Sequence, residues 1–201
     1  MIFHVRGLLD KMDIGRKEMD KNICRLMGQN IYLSILRDDK YAVEKYIEWM
    51  SNETTAMYIE KNGDIIDVTH MPGWVNDSSV MRMGIVYKET DQLIGYCHID
   101  HRKRDFAAWL SINIGEAGMR GKGIGKEVIT VLCRFCFNEL GVNSIHVDVL
   151  ETNERSRRCF ESVGFQKSGI YRGHGFHNGD FHNWIHMDVL ASEWKELYPE
   201  K

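Results

Sequence analysis

The sequence predicts a single α/β domain of the α+β kind, with a mostly antiparallel central sheet flanked by helices. Three observations predict it. The chain has 201 residues, 43% of them hydrophobic, enough for one substantial core and too few for two sizeable domains. Three strand-like stretches, MRMGIVYKE, QLIGYCHIDHR and FAAWLSINIG, follow one another with polar turn residues between them, the pattern of an antiparallel meander. A glycine-rich turn then opens a strongly periodic helix. Strands and helices stay mixed to the end, with no internal repeat and no low-complexity linker.

Taken in order, residues 1–28 carry mixed charge and a loosely helical pattern without a periodic stripe, and are expected to form an N-terminal extension. The domain is expected to span 29–192, with 193–201 as a tail. NIYLSIL (30–36) has strand composition. Asp38 or Asp39 offers an N-cap for KYAVEKYIEWM, whose Val43, Tyr46, Ile47 and Met50 share one helical face. A second short helix is expected to start at Ser51 or Asn52, before a loop containing MPGW. In the third strand of the meander Leu110, Ile112 and Ile114 alternate with Trp109, Ser111 and Asn113, so the first set is expected to face the core and the second a more polar surface. The helix behind the glycine turn places Val128, Val131, Leu132, Phe135 and Cys136 at helical spacing and stops at Gly141. NSIHVDVL alternates Ile145, Val147 and Val149 against His146 and Asp148, as a strand does. Asn153 caps a helix ERSRRCFESV that ends at Gly164, and FHNWIHMDVL closes the sheet.

Charge and composition exclude several classes. A formal charge of −3 and a pI near 6.3 give no general attraction to nucleic acid or to an anionic membrane, so neither is expected as a partner. The opening MIFHVRGLLDKMD is broken by Arg6, Asp10, Lys11 and Asp13, which leaves no apolar run of the kind a signal peptide needs, and no other run approaches spanning length. Five cysteines without framework spacing fit a reducing compartment, so the expected location is the cytoplasm, with no structural disulfide.

Residues 119–127 read MRGKGIGKE. A strand, a glycine-rich turn and a helix in that order aim several unpaired backbone N–H groups at one point, where the helix dipole also favours negative charge. Glycine lets an anion approach the backbone and tolerates the positive φ of such a turn. Arg120, Lys122 and Lys126 supply cations. The spacing excludes two nucleotide motifs. A Walker loop needs Ser or Thr after Gly-Lys, and here Gly121-Lys122 is followed by Gly123. A dinucleotide fingerprint needs Gly-x-Gly-x-x-Gly in a parallel βαβ unit, and here Gly-x-Gly-x-Gly follows antiparallel strands.

INIGEAGMRGKGIGKEVI is similar to the acetyl-CoA signature of the GNAT superfamily of N-acetyltransferases, Gln/Arg-x-x-Gly-x-Gly/Ala, matched by Arg120, Gly123 and Gly125. VLETNERSRRCFESVGF resembles the second motif of that family, with Asn153 and the Gly164-Phe165 pair at the expected distance. The order of elements from about residue 29 to 190 also matches, closest to the branch of RimJ/RimL-type N-terminal acetyltransferases and polyamine acetyltransferases. The resemblance implies splayed strands forming an acyl-CoA cleft, acetyl-CoA as cosubstrate, no metal, and transfer of acetyl to a primary amine of a small molecule or protein N-terminus by direct attack in a ternary complex. It implies that the CoA pyrophosphate lies on the turn made by Met119, Arg120, Gly121, Lys122, Gly123, Ile124, Gly125 and Lys126. The pantetheine arm would pair with the backbone around Ile112, Asn113 and Ile114, with Asn153 beside it. A homodimer is a further family-level expectation.

An attacking amine must be neutral, so a base or a water chain has to remove a proton. Asp148 is the first candidate: it lies five residues before Asn153 on the outward parity of its strand, where some members of the family carry a glutamate. Glu116, at the mouth of the same cleft, is the second and His146 the third. Seven residues after the asparagine, where the family often has a tyrosine to protonate the leaving thiolate, this chain has Phe160. Cys159, Tyr171 or a water could serve instead, or the thiolate could leave without an acid. That departure keeps a second reading open, a degenerate acyl-CoA-binding sensor or subunit; a nucleotide- or phosphate-binding module is a third.

Other groupings carry less chemistry. Cys133 and Cys136 form a lone Cys-x-x-Cys in mid-helix and are read as buried small hydrophobes. His174, His177, His182 and His186 crowd the C-terminal strand region, and His182, Trp184 and His186 share a strand face; their intervals match no familiar ligand set, so no metal is expected. This region would border the acceptor pocket in the family, where Trp109 and Trp184 could stack on a substrate ring.

Overall fold

The computed structural model describes residues 24–35, 40–50, 80–177 and 179–199. The expected N-caps at Asp38 or Asp39, the helix start at Ser51 or Asn52, the MPGW loop and the side chains of Val43, Met50 and His177 lie outside what is described. The elements are β1 (Cys24–Met27), β2 (Ile31–Ile35), α1 (Lys40–Met50), β3 (Met81–Tyr87), β4 (Gln92–Arg102), β5 (Ala107–Ile114), α2 (Ile124–Asn138), β6 (Ser144–Leu150), α3 (Glu154–Glu161), β7 (Gln166–His177), β8 (Asp180–Leu190) and α4 (Ala191–Leu197). The strands form one eight-stranded sheet in the order β1-β2-β3-β4-β5-β6-β8-β7.

The meander is as the three strand-like stretches and the polar turns between them predict: β3 pairs antiparallel with β4, and β4 with β5. Among the described residues only β5 and β6 run parallel, and they pair at Ala107–Trp109 against Ser144–His146. Beyond that short contact the two strands part, while β6 stays paired to β8 along its whole length. The sheet is therefore open in its middle, toward the C-terminal ends of its one parallel pair.

One face of the sheet packs under α2. Val128, Leu132, Cys133 and Cys136 of that helix are fully buried against Ile31, Ile85, Ile99, Ala108 and Ile145. Each fully buried Leu, Ile or Val contributes about 1.5–3 kcal/mol over its exposed state. Burial also pushes the thiols of Cys133 and Cys136 up, the latter to about 12, which keeps them protonated and inert. Glu127, in the first turn of α2, fixes the helix to the start of β2 by accepting from Asn30 N (2.7 Å), Ile31 N (3.2 Å) and Asn30 Nδ2 (3.0 Å). The other face carries a smaller cluster in which Trp49 and Ala42 of α1 meet Val86, Leu93 and Tyr96. That cover corrects the expected polar surface at Asn113, which is only 7% exposed.

Two ends of the chain differ from the sequence reading. β1 lies inside the segment expected to be an extension, and it pairs antiparallel with β2. Its four residues alternate weakly and stay largely exposed, so periodicity could not mark it. α4 crosses the expected boundary at 192. Trp194 is buried in the main core and stacks on Tyr198 at 4.0 Å between ring centroids. The helix is only seven residues long and starts without a side-chain N-cap of the usual type; Glu193 reaches back to accept from Leu190 N at 2.9 Å.

Candidate active site

The open seam between β5 and β6 ends at two helix N-termini. α2 follows β5 through the glycine turn, and α3 follows β6 through Asn153. In the turn Gly121 and Gly123 have φ of 79° and 80°, and a Cβ built on either meets nothing within 4 Å. Gly123 is the N-cap of α2 and has no side chain to cap it, so the first-turn N–H groups of Ile124, Gly125 and Lys126 point out without a capping acceptor. Such an arrangement can cradle an anion, with the helix dipole behind it. Lys122 and Lys126 are exposed beside it. Arg120 is directed elsewhere: its Nε donates to Ile114 O (2.9 Å) and a terminal nitrogen donates to Gly115 O (3.1 Å), which ties the turn to the end of β5. Met119 closes the short 3₁₀ turn that precedes it.

Along the lip formed by β5, Ile112 and Ile114 pack on the core from its margin, and Asn113 lies on the opposite face with its Nδ2 buried and unbonded. An unpaired buried donor is costly, so this group suits a ligand acceptor. Across the seam, Asn153 Oδ1 accepts from Ser156 N at 3.1 Å and caps α3. Phe160, about two turns further on, is buried edge-on against Phe165, 5.1 Å between centroids. Its neighbour Cys159 has its sulfur 3.2 Å from where a Cβ on Gly125 would lie, and burial raises its thiol pKa.

The three candidate bases fall into two groups. Glu116 Oε1 is held by Lys45 Nζ (2.8 Å) and by Trp49 Nε1 (3.3 Å). Trp49 lies flat over Gly115, where a Cβ would come within 2.1 Å of the indole, so glycine is required there. The carboxylate in turn holds the Lys45 ammonium well above its usual range. Glu116 thus ties α1 to the end of β5. Asp148 and His146 stand together on the outward face of β6, joined by a residue the sequence reading did not place with them. His186, opposite Asp148 on β8, has Nδ1 at 2.6 Å from Asp148 Oδ1 and Nε2 at 3.2 Å from His146 Nδ1. His146 Nε2 is 2.8 Å from Ser144 Oγ. Trp109 stacks on His146 at 4.3 Å, and the Arg102 guanidinium covers the ring of Trp109 at 4.1 Å. The shared parity of His182 and His186 was legible in the sequence. The contact with Asp148 depends on the β6–β8 register, which no local pattern encodes. No group of three or more His, Cys, Asp or Glu residues among the described ones is arranged to hold a metal ion.

A mixed sheet parted between two parallel strands, with a glycine turn at one helix start and a capping asparagine at the other, is the frame of an acyl-CoA transferase. Residues 30–166 match the acetyltransferase (GNAT) domain, and the chain belongs to the GNAT family of acetyl-CoA-dependent N-acetyltransferases. It is 30% identical over 152 residues to the uncharacterized N-acetyltransferase p20 of Bacillus licheniformis, covering 73% of this chain and 85% of that protein. A shorter stretch of 56 residues, 28% of each chain, is 34% identical to aminoglycoside N(6')-acetyltransferase type 1 of Klebsiella pneumoniae. Among solved structures, the spermidine N-acetyltransferase of Vibrio cholerae in complex with CoA and spermine superposes with a TM-score of 0.73 at 18% identity, covering 82% of this chain and 98% of that one.

Proposed function

We propose that this N-acetyltransferase moves acetyl from acetyl-CoA to a primary amine of a small molecule or a protein N-terminus, by direct attack within a ternary complex. The observation that carries this reading is the seam between β5 and β6, with the uncapped start of α2 at its end and Asp148 on the outward face of its second strand. The CoA pyrophosphate would rest on the amides of the glycine turn, with Lys122 and Lys126 beside it and Arg120 holding the turn to β5. The pantetheine arm would lie along Ile112–Ile114 and take a hydrogen bond from Asn153. Asp148 would remove the proton from the amine as it attacks the thioester carbonyl. Glu116 is less suited, because Lys45 and Trp49 already occupy its oxygen. Phe160 has no proton to give the CoA thiolate, whereas the Cys159 thiol beside Gly125 stays protonated at neutral pH. The cytoplasm is the compartment this reading assigns, in keeping with core cysteines used as small hydrophobes.

Calorimetric titration of acetyl-CoA into the wild type and into Gly123→Val plus Gly125→Val tests the cofactor site. Binding by the wild type that is lost in the variant is the expected result, because Val side chains would fill the cradle. An amine panel of spermine, kanamycin and a peptide with a free N-terminus then tests turnover. Asp148→Asn is expected to lower kcat/KM by about 10²–10⁴ while acetyl-CoA binding persists. Binding without transfer to any amine would favour the sensor reading instead, which Phe160 motivates.

A further inference from the structure

The polar face of β6 and β8 holds a chain of hydrogen bonds that the reading above leaves unused. Its proton order follows from the acceptor at its end. A carboxylate only accepts, so the hydrogen on His186 sits on Nδ1 and points at Asp148 Oδ1, 2.6 Å away. The Nε2 of neutral His186 then accepts from His146 Nδ1–H across 3.2 Å, and His146 Nε2 accepts from the Ser144 hydroxyl across 2.8 Å. One added proton reverses the outer links: His186 Nε2–H donates to His146 Nδ1, and His146 Nε2–H donates to Ser144 Oγ. A second proton would set two N–H donors against each other at 3.2 Å. The geometry of this link accommodates one added proton between the two rings.

We propose that His186 and His146 form a one-proton switch acting on Asp148. With both rings neutral, His186 orients the carboxylate through Oδ1 and leaves Oδ2 basic toward the acceptor nitrogen. With one proton on the pair, the imidazolium binds the carboxylate as an ion pair and removes that basicity. His186 is thus a positioning residue, and the switch rests on the reading of Asp148 as the base. The surroundings decide where the proton settles. Asp188 on β8 and Asp148 on β6 attract it, whereas Arg102, stacked through Trp109, repels it from His146, whose pKa is lowered by burial first and by His186 second. Tyr171 and His174 of β7 flank the His186 side, with Tyr171 edge-on to His186 at 5.6 Å. In this switch the added proton sits on His186, whose Nδ1 is 2.6 Å from Asp148 Oδ1.

The test uses the full chain. Side-chain nitrogen NMR of histidine-labelled protein, followed from about pH 8.5 down to about pH 5, counts the protons through the ordinary imidazole range. The expected result is one proton shared by His146 and His186, both rings moving with a common midpoint. Two complete and separate titrations would overturn the switch. In parallel, acetyl transfer to whichever of spermine, kanamycin or the peptide is turned over is compared in wild type and His186→Gln at each pH, so that ionisation of the amine cancels in the ratio. The wild-type to variant ratio is expected to be level above about pH 7.5 and to fall at least tenfold by about pH 5, because glutamine holds Asp148 without taking a proton. A flat ratio with Asp148→Asn inactive would sink the switch alone. Asp148→Asn as active as wild type would sink the base reading, and the switch with it.

Discussion

His98 lies on β4 on the same face as Trp109 and Ser111, with its Nδ1 buried and unbonded. Burial first, and the Arg82 guanidinium second, lower its pKa to about 4. An unfolded histidine binds its proton at about pH 6.5. Between these values the unfolded chain holds more protons than the folded one, so the stability from this site is complete above about pH 6.5 and falls as the pH drops toward about 4. Chemical unfolding is expected to give about 2 kcal/mol less stability at about pH 5 than at about pH 7 from this group, a slope that His98→Gln removes. A wild-type slope unchanged in the variant would contradict the assignment. At this scale the sequence was legible where chemistry is local. The glycines of the turn, the capping of α3 by Asn153 and the outward parity of Asp148 all follow from neighbours in the chain. The partners of Glu127, Glu116 and Asp148 did not follow. Each is more than thirty residues away and is chosen by strand register or by docking of a helix.

Elements with a strong period were read correctly, and those too short to show one were not. β5, β6 and α2 repeat long enough for burial to leave its mark, and β3 and β4 show as long apolar runs bounded by polar turns. β1 and α4 do not, and both gain their stability from tertiary contacts rather than from local preference. α4 makes the clearest test. Trp194 is buried between Tyr198 and Phe137 and belongs to the main core, so Trp194→Ala is expected to cost about 3–5 kcal/mol of unfolding free energy. A loss below about 1 kcal/mol would mean the terminal helix is a passive tail. β7 was hidden for another reason: the register shifts between Tyr171 and Gly175 interrupt its alternation.

In the molecule as a whole the sheet divides into two blocks, β1 to β5 and β6-β8-β7, joined by the three residue pairs at Ala107–Trp109. α2 bridges them, packing on Ile31 and Ile85 of one block and on Ile145 of the other. The proposed cosubstrate would lie in the gap as a third connection. Acetyl-CoA at about 100 times its Kd is expected to add about 2.7 kcal/mol of stability. Amide exchange should slow at Ile112–Ile114 and at Ile124–Lys126 together, because one ligand spans the lip and the cradle. Slowing at the cradle alone would place the pantetheine arm elsewhere.

The same seam has a consequence for solubility. Most sheets have two edges, and proteins guard both; this one has, beyond Trp109 and His146, two more edges facing each other inside the molecule. Inside the molecule they face each other, not solvent, and α2 packs across one side of both blocks. Whatever pries the two blocks further apart exposes apolar strand backbone with Leu110, Ile112, Val147 and Val149 along it. The empty protein is the form at risk of self-association, and a bound pantetheine arm, by satisfying those amides, would act as its protective strand.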